Sequence, residues 1–567
     1  MIWHGECQNS LQFGTHRATN SAAGQARLGS LEMAAIDRKS RTPLALAWRR
    51  LKNLFHPDVT VTKAPPGLHA DWDVPVAMRD GVTLRVNVFR PEGEGRWPVI
   101  MSAHPYGKDR IAAKSRSGRR LDFQYRLCPQ PDPISLSDLT SWEAPDPAVW
   151  VPRGYCVINA DLRGCGTSGG VGDPFTALEA NDYCDLINWA GTQPWSSGRV
   201  GLDGVSYLAI SQYEGAAVKP AHLAAICPWE GFSDLYRDFF RPGGIREDGF
   251  SIIWSRGMSR RRIRTNLRSE VIKHTERDAW WQERTPSLES IDVPMLVCGS
   301  FSDHSLHTRG SFEVFRRAGS SRKWLYTHRS GKWSTYYGND ATETRMGFFD
   351  HVLKGLDNGW AERPAVRLAI HDIGSDPVAV TGEESWPPSD LDWRSLWLDA
   401  RSGSLTSTRP DAEASVAFDL PDGCCSYLWT VPEDLDLIGP MALRLHFELR
   451  RGDDAFLFVG VRKLRGGVET RFEGSMGFSG DMVSKGWQRL AHRDLDDELS
   501  TEMQPVHMHD HAEPLRPGEI RPVTIALLPH ATRFLKGDQL QIDIRGRWHY
   551  PRDPLRGQFP IFYQPSP

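Results

Sequence analysis

From Asp73 to Phe89 apolar and polar residues alternate with a period of two, and the alternation breaks at Asp80-Gly81. Two strands joined by a tight turn are expected there, because Asp-Gly supplies the positive φ that a hairpin needs. The pattern then changes. Short apolar runs follow at Pro98–Ser102, Gly154–Ala160, Val200–Gly204, Leu223–Pro228, Val293–Gly299 and Lys323–Thr327. Stretches of helical period lie between several of them, such as Glu179–Ala190 and the residues after Ser206. Apolar runs alternating with helices predict a mostly parallel sheet covered by helices on both faces. Residues 241–290 interrupt this alternation with Trp254, Trp280, Trp281 and an arginine run from Arg260 to Arg268, and read as a helical insertion over the sheet. An amphipathic stretch, Arg345 to Gly355, closes the unit. From Ala365 onward the pattern becomes short alternating strands broken by Gly, Pro and Asp, including Met441–Leu449, Ala455–Val461 and Val523–Leu528, which predicts an all-β sandwich.

The expected organisation is an N-terminal arm over 1–65, rich in Ser, Gly, Ala, Asn and Gln and partly disordered, with a short helix near 49–56. An α/β domain over 66–240 and 291–364 carries a cap at 241–290, and a β-sandwich fills 365–567. A chain of 567 residues is too long for one core, in keeping with this division. Net charge is −3 with 25% charged residues, so nothing points to nucleic acid as a partner. The arginine run is read as a solvated helix face or a subunit contact rather than a reader of substrate charge, and a homodimer is left open. The nine cysteines form no C-x-x-C pair, so neither a disulfide framework nor a metal site is expected, and no cofactor is called for. No apolar run approaches the roughly 18 residues of a membrane span, and the first 40 residues lack a secretory h-region, so a cytoplasmic location is expected.

The chemistry centres on Gly204-Val205-Ser206-Tyr207-Leu208-Ala209. A serine between an apolar strand and a helix is either a helix cap or a nucleophile held on a strained corner, with backbone N–H groups beside it. Leu208 stands where G-x-S-x-G has its second glycine. A serine nucleophile needs an imidazole to take its proton and a carboxylate to orient that imidazole. In α/β-hydrolases these follow in the order Ser, acid, His on loops after later strands. Asp303 lies just past the Val293–Gly299 strand, and His328 ends the next one; His304 and His307, in the acid's own loop, are rivals for the base. The oxyanion requires two donors. The Tyr207 N–H supplies one, and Tyr106, in the loop after Pro98–Ser102, offers its hydroxyl as the other. The glycine-rich Asp161–Gly170 loop lacks the Lys-Ser/Thr pair of a phosphate cradle and reads as a turn held by Asp161 and Arg163.

Several longer motifs resemble one family, the cocaine-esterase/X-prolyl dipeptidyl-peptidase group of serine hydrolases. They are Met78-Arg79-Asp80-Gly81, Pro105-Tyr106-Gly107, Asp161-Leu162-Arg163-Gly164, Gln193-Pro194-Trp195, Gly204-Val205-Ser206-Tyr207-Leu208 and Phe348-Phe349-Asp350-His351 through Gly355. Gly486-Trp487 and His492-Arg493-Asp494-Leu495-Asp496 resemble marks of the family's jelly-roll domain. The resemblance covers about residue 73 to the C-terminus. It implies an α/β-hydrolase domain with a helical cap followed by a jelly roll, with Ser206 as nucleophile, Asp303 as acid, and Tyr106 and the Tyr207 N–H as oxyanion hole. Two departures stand out. Ala209 replaces a common glycine, and the family's Gly-Pro-Trp-x-His after the last strand is absent, with Thr327-His328-Arg329-Ser330-Gly331-Lys332-Trp333 in its place. His328 is therefore the expected base. The implied activity is hydrolysis of small-molecule carboxylic esters through an acyl-enzyme. The alternatives are an X-Pro dipeptidyl-peptidase, which length disfavours because such relatives resemble longer chains, an α-amino-acid ester hydrolase or acylase, and, from another class, a catalytically dead binding protein.

Overall fold

The computed structural model describes residues 2–4, 9–18, 43–112, 114–115, 118–119, 121–477, 480–553, 557–558 and 560–567. Strands β1 (Leu68–Ala77) and β2 (Thr83–Pro91) form the hairpin expected around Asp80-Gly81, with Ala77 opposite Thr83 and Gly81 at φ 82°. They lead into β3 (Trp97–His104), β4 (Cys156–Asp161), β5 (Ser196–Val205), β6 (Leu223–Trp229), β7 (Met295–Ser300), β8 (Lys323–His328) and β9 (Val366–His371). Pairing gives the order β1-β2-β4-β3-β5-β6-β7-β8-β9, parallel from β4 to β9 and antiparallel at the β1 and β2 edge. This sheet is buried on both sides, which is why its strands read as continuous apolar runs. Val99, Met101, Leu202, Ile226 and Val297 face one core, and Ile100, Val157, Val205, Ala225 and Leu296 face another. Helices α1 (Ala177–Thr192), α2 (Tyr207–Ala217) and α3 (Thr308–Arg317) cover the first face. After α4 (Lys332–Tyr336), α5 (Asn339–Lys354) covers the second with Phe348, Phe349 and Leu353. Below β5, Arg345 of α5 is buried and paired with Asp203 at 2.6 Å.

The Asp161–Gly170 loop is a structural turn. The Asp161 carboxylate accepts from the backbone N–H groups of Lys108 and Thr167 at 2.5 and 2.9 Å, while Arg163 bridges Asp182 and Asp80, each at 2.7 Å. A π-turn at Leu235–Phe240 leads into the insertion over the sheet, which carries helices at Phe250–Met258, Leu267–Lys273 and Ala279–Gln282. Of its arginines, 260, 262, 264 and 268 are exposed or half-exposed, whereas Arg261 turns its guanidinium to the carbonyls of Pro105 and Gly257.

The C-terminal part is a two-layer sandwich. One layer pairs Asp392–Asp399, Ser10–Arg17, Leu435–Glu448 and Ile520–Phe534 in that order. The other pairs Cys424–Thr430, Gln539–Arg545, Phe456–Arg465 and Ser484–Arg489. Leu443, Phe447, Val459, Ile525 and Ile542 meet between them. The expectation of a loose N-terminal arm needs correcting at residues 10–17. This stretch is a strand inside the first layer, with Leu11 and Phe13 buried in the sandwich core. Its alternation is short and its pairing partners lie far along the chain, so the local sequence carries little strand signal. The helix expected near 49–56 spans Pro43–Phe55, and Asn53 anchors it to the carbonyls of Tyr125 and Arg126 at 2.8 Å. Residues 1, 5–8 and 19–42 of the arm lie outside the described residues. β9 pairs with β8 and, at His371, with Thr532 of the sandwich, so one hydrogen-bonded sheet runs from the α/β unit into the β-rich unit. Among the described residues, no helix is long and apolar enough to cross a membrane.

Candidate active site

β5 ends at Val205 and α2 begins at Tyr207, leaving Ser206 alone on the corner at φ 62°, ψ −116°. A non-glycine residue at positive φ is strained and is held only by its surroundings. Here the Ser206 N–H donates to the Trp229 carbonyl of β6 at 3.0 Å, and the Ser206 carbonyl accepts from Ala209 and Ile210 of the first helical turn. The corner also explains its departures from the usual pattern. A Cβ on Gly204, at φ 151°, would stand 2.5 Å from the Leu208 Cβ, so Gly204 leaves the room that a leucine at the second-glycine position requires. A Cβ on Gly231 would stand 3.0 Å from that of Ala209, so Gly231 on the neighbouring strand's loop offers the space that a glycine at 209 would otherwise give.

The imidazole that meets Ser206 comes from the acid's own loop. His307 Nε2 lies 3.2 Å from Ser206 Oγ, and His307 Nδ1 lies 2.5 Å from Asp303 Oδ2. The Asp303 carbonyl accepts from the N–H groups of Leu306, His307 and Thr308, winding the loop into a turn that leads into α3 and sets residues 303 and 307 on one side. Phe232 stacks on the His307 ring at 6.2 Å, nearly parallel.

His328, the base expected from its place after the last parallel strand, is not brought to Ser206. Its Nε2 donates to Glu230 Oε1 at 3.1 Å, its Nδ1 accepts from the Ser330 N–H at 3.2 Å, and its ring stacks on Trp229. Both nitrogens are engaged, and the residue is a buried partner for a carboxylate. Asp303 and His307 are four residues apart on one turn, so the acid's own loop brings an imidazole to Ser206 without help from the loop after the last strand. The signal was present as Asp-x-x-x-His ahead of a helix. Gly331-Lys332-Trp333-Ser334-Thr335 keeps the Gly and Trp of Gly-Pro-Trp-x-His but puts Lys332 for proline and Thr335 for histidine. His304, the other rival, turns toward the β-rich unit, 3.9 Å from Asp481.

Sequence reasoning missed Lys332. This side chain, 3% exposed, opens α4 with its Nζ 2.7 Å from Asp303 Oδ2 and 2.9 Å from His307 Nδ1. Burial alone would raise the Asp303 carboxyl, but the Lys332 ammonium and the His307 ring outweigh it and hold Asp303 well below the usual carboxylate range. Burial and then the Lys332 charge push His307 down, against the opposite pull of Asp303 and Glu230. Lys332 is itself raised, since Asp303, Glu230 and Glu143 overcome its burial.

Tyr106 follows β3 with its ring 6.2 Å from that of Tyr207, and its hydroxyl accepts from the Trp254 indole N–H at 3.3 Å. Burial raises its pKa, so it stays a hydroxyl donor. Tyr207 is the first residue of α2, and its N–H is one of the donors that no carbonyl of that helix can reach; its own hydroxyl is occupied by Glu179 at 2.8 Å. Glu143, at φ 62°, accepts the Val205 N–H with its carbonyl and the Trp333 indole N–H with its carboxylate, which burial raises to about 7.

Among the described residues, two sets of metal-ligand types place donor atoms within 4.8 Å of one another: Glu230, Cys298 and His328, and Glu230, Asp303 and His307. In the first, Glu230 and His328 already satisfy each other. In the second, the Lys332 ammonium already supplies a positive charge at the Asp303 oxygen.

Both units of the chain match known proteins. Residues 80–263 match the model of the X-Pro dipeptidyl-peptidase (S15 family), and residues 358–549 match that of the X-Pro dipeptidyl-peptidase C-terminal non-catalytic domain. A cocaine esterase from Rhodococcus sp. is 27% identical over 398 residues, 59% of this chain and 63% of that protein, so the chain spans less than two thirds of this relative's length. A putative Xaa-Pro dipeptidyl-peptidase from Bacillus anthracis is 25% identical over 54% of this chain and 55% of its own length. The crystal structure of a CocE/NonD family hydrolase from Staphylococcus aureus superposes with a TM-score of 0.80 and 33% identity, over 90% of this chain and 95% of that one. The chain therefore belongs to the CocE/NonD family of serine hydrolases, with an α/β-hydrolase domain followed by a β-rich C-terminal domain.

Proposed function

We propose that this protein hydrolyses carboxylic esters of small molecules, with Ser206 as nucleophile, His307 as general base and Asp303 as the acid that orients it. The observation that carries the reading is the continuous chain from Ser206 Oγ to His307 Nε2 at 3.2 Å and from His307 Nδ1 to Asp303 at 2.5 Å. We assign the proton to Nδ1, facing the Asp303 carboxylate, which leaves the Nε2 lone pair facing the serine. Ser206 then attacks the carbonyl carbon, its proton passes to Nε2, and the oxyanion forms beside the Tyr207 N–H and the Tyr106 hydroxyl. The proton moves on to the departing alcohol, and water activated by the same imidazole releases the acid. The relative named as a cocaine esterase supports ester cleavage. The S15 match and the relatives named as Xaa-Pro dipeptidyl-peptidases favour a second reading, X-Pro peptide cleavage at the same triad.

Turnover of p-nitrophenyl acetate, butyrate and octanoate beside an Ala-Pro p-nitroanilide tests the two directly. Ester turnover well above anilide turnover is expected; cleavage of the anilide alone would replace the first reading by the second. Tyr106→Phe is expected to lower kcat on the best ester by about 10²- to 10³-fold with KM little changed, the usual cost of one oxyanion donor. Steady-state kinetics decide it, and an unchanged kcat would leave Tyr106 a packing residue.

A further inference from the structure

Asp303 faces two cationic or polar partners with a single oxygen. Its Oδ2 meets both His307 Nδ1 and Lys332 Nζ, at 2.5 and 2.7 Å, while Oδ1 has no hydrogen-bond partner among the described residues. The proton on Nδ1 and the ammonium therefore compete for one carboxylate oxygen, with the two nitrogens 2.9 Å apart. An ammonium at that distance, almost wholly shielded from water, is a full positive charge beside the ring that must become an imidazolium during the reaction. It also holds the carboxylate in place, because α4 anchors the lysine through Trp333, whose indole N–H donates to Glu143 at 2.9 Å. Among the described residues, the other charged or titratable groups around the pair are Glu230 after β6, Glu143, the buried Cys128 thiol, and Lys485 and Tyr563 of the β-rich part. Of these, Glu230 already receives a hydrogen bond from His328.

We infer that Lys332 is a positioning residue of the triad, fixing Asp303 through Oδ2 and offsetting its charge so that His307 remains neutral, and able to accept the Ser206 proton, at lower pH than an imidazole paired with a carboxylate alone. This rests on the assignment of Ser206 and His307 made above. The sign follows from the charges. Asp303 stabilises the imidazolium and raises the pH at which it loses its proton; a cation beside it has the opposite effect. Removing that cation must therefore move the acid limb of kcat/KM to higher pH.

The test is the rate of Ser206 labelling by a fluorophosphonate, followed from acid to neutral pH together with ester kcat/KM, in the wild type and in Lys332→Met, Lys332→Gln and Lys332→Arg. Gln keeps a donor to Asp303 without the charge, so it remains informative should Met fail to fold, and circular dichroism and thermal unfolding verify each variant. For Met and Gln the acid limb is expected to move to higher pH, with an additional loss on the acid side of about tenfold beyond any loss at the plateau. Arg is expected to restore the wild-type limb. Folded Gln or Met protein with a wild-type limb would overturn the inference, and so would folded variants that are unlabelled at every pH, since Lys332 would then be indispensable rather than modulating. A wild-type protein that is not labelled, or one labelled equally after Ser206→Ala, would instead overturn the triad itself, so the two failures remain distinct.

Discussion

Ser206→Ala is expected to lower kcat/KM on a p-nitrophenyl ester by about 10⁵- to 10⁶-fold, the loss typical of removing a serine nucleophile. The folded state should be unaffected. The hydroxyl hydrogen-bonds to His307, while the corner itself is held by the Ser206 backbone, through Trp229, Ala209 and Ile210. Alanine loses only the Oγ and meets the same φ of 62° that serine already tolerates. Ester kinetics with the unfolding transition measured alongside decide the matter. Turnover above about one part in a thousand in a wild-type fold would place the nucleophile elsewhere.

His307→Ala should cost as much as Ser206→Ala, and the double variant little more, because members of a triad act as one unit. Its neighbours give the contrast. His328 has both ring nitrogens tied to Glu230 and Ser330, so His328→Gln, which retains a donor for Glu230, should leave kcat within about tenfold of wild type and show its effect in stability, by about 1–3 kcal/mol. A lethal His328→Gln beside a nearly normal His307→Ala would reverse the assignment. These two positions make a sharper test than Ser206 alone, since they separate the base expected from chain order from the base that geometry brings to the serine.

The elements whose stabilising contacts lie close in sequence are legible from the residues alone. The Asp80-Gly81 hairpin, the buried parallel strands, the strand–Ser206–helix corner and the insertion after residue 240 all follow from periodicity and turn chemistry, which act over a few residues. So does Asp303 at a strand end, a position that the α/β order assigns to an acid. The strand Ser10–Arg17 escaped because its partners, Asp392–Asp399 and Leu435–Glu448, are distant in the chain and its own composition is polar. The placement of His307 and Lys332 escaped for a related reason. Chain order suggests which loop carries each group, but not which of three histidines points at Oγ. That choice is made by one turn of backbone around the Asp303 carbonyl and by the start of α4, which places an ammonium where the family pattern has proline. By itself the sequence determined the architecture and singled out the candidate serine and acid, because those depend on local pattern and strand order. Only the tertiary structure placed His307 beside Ser206 and the Lys332 ammonium beside Asp303, because hydrogen bonds of about 3 Å depend on side-chain directions that spacing along the chain does not encode.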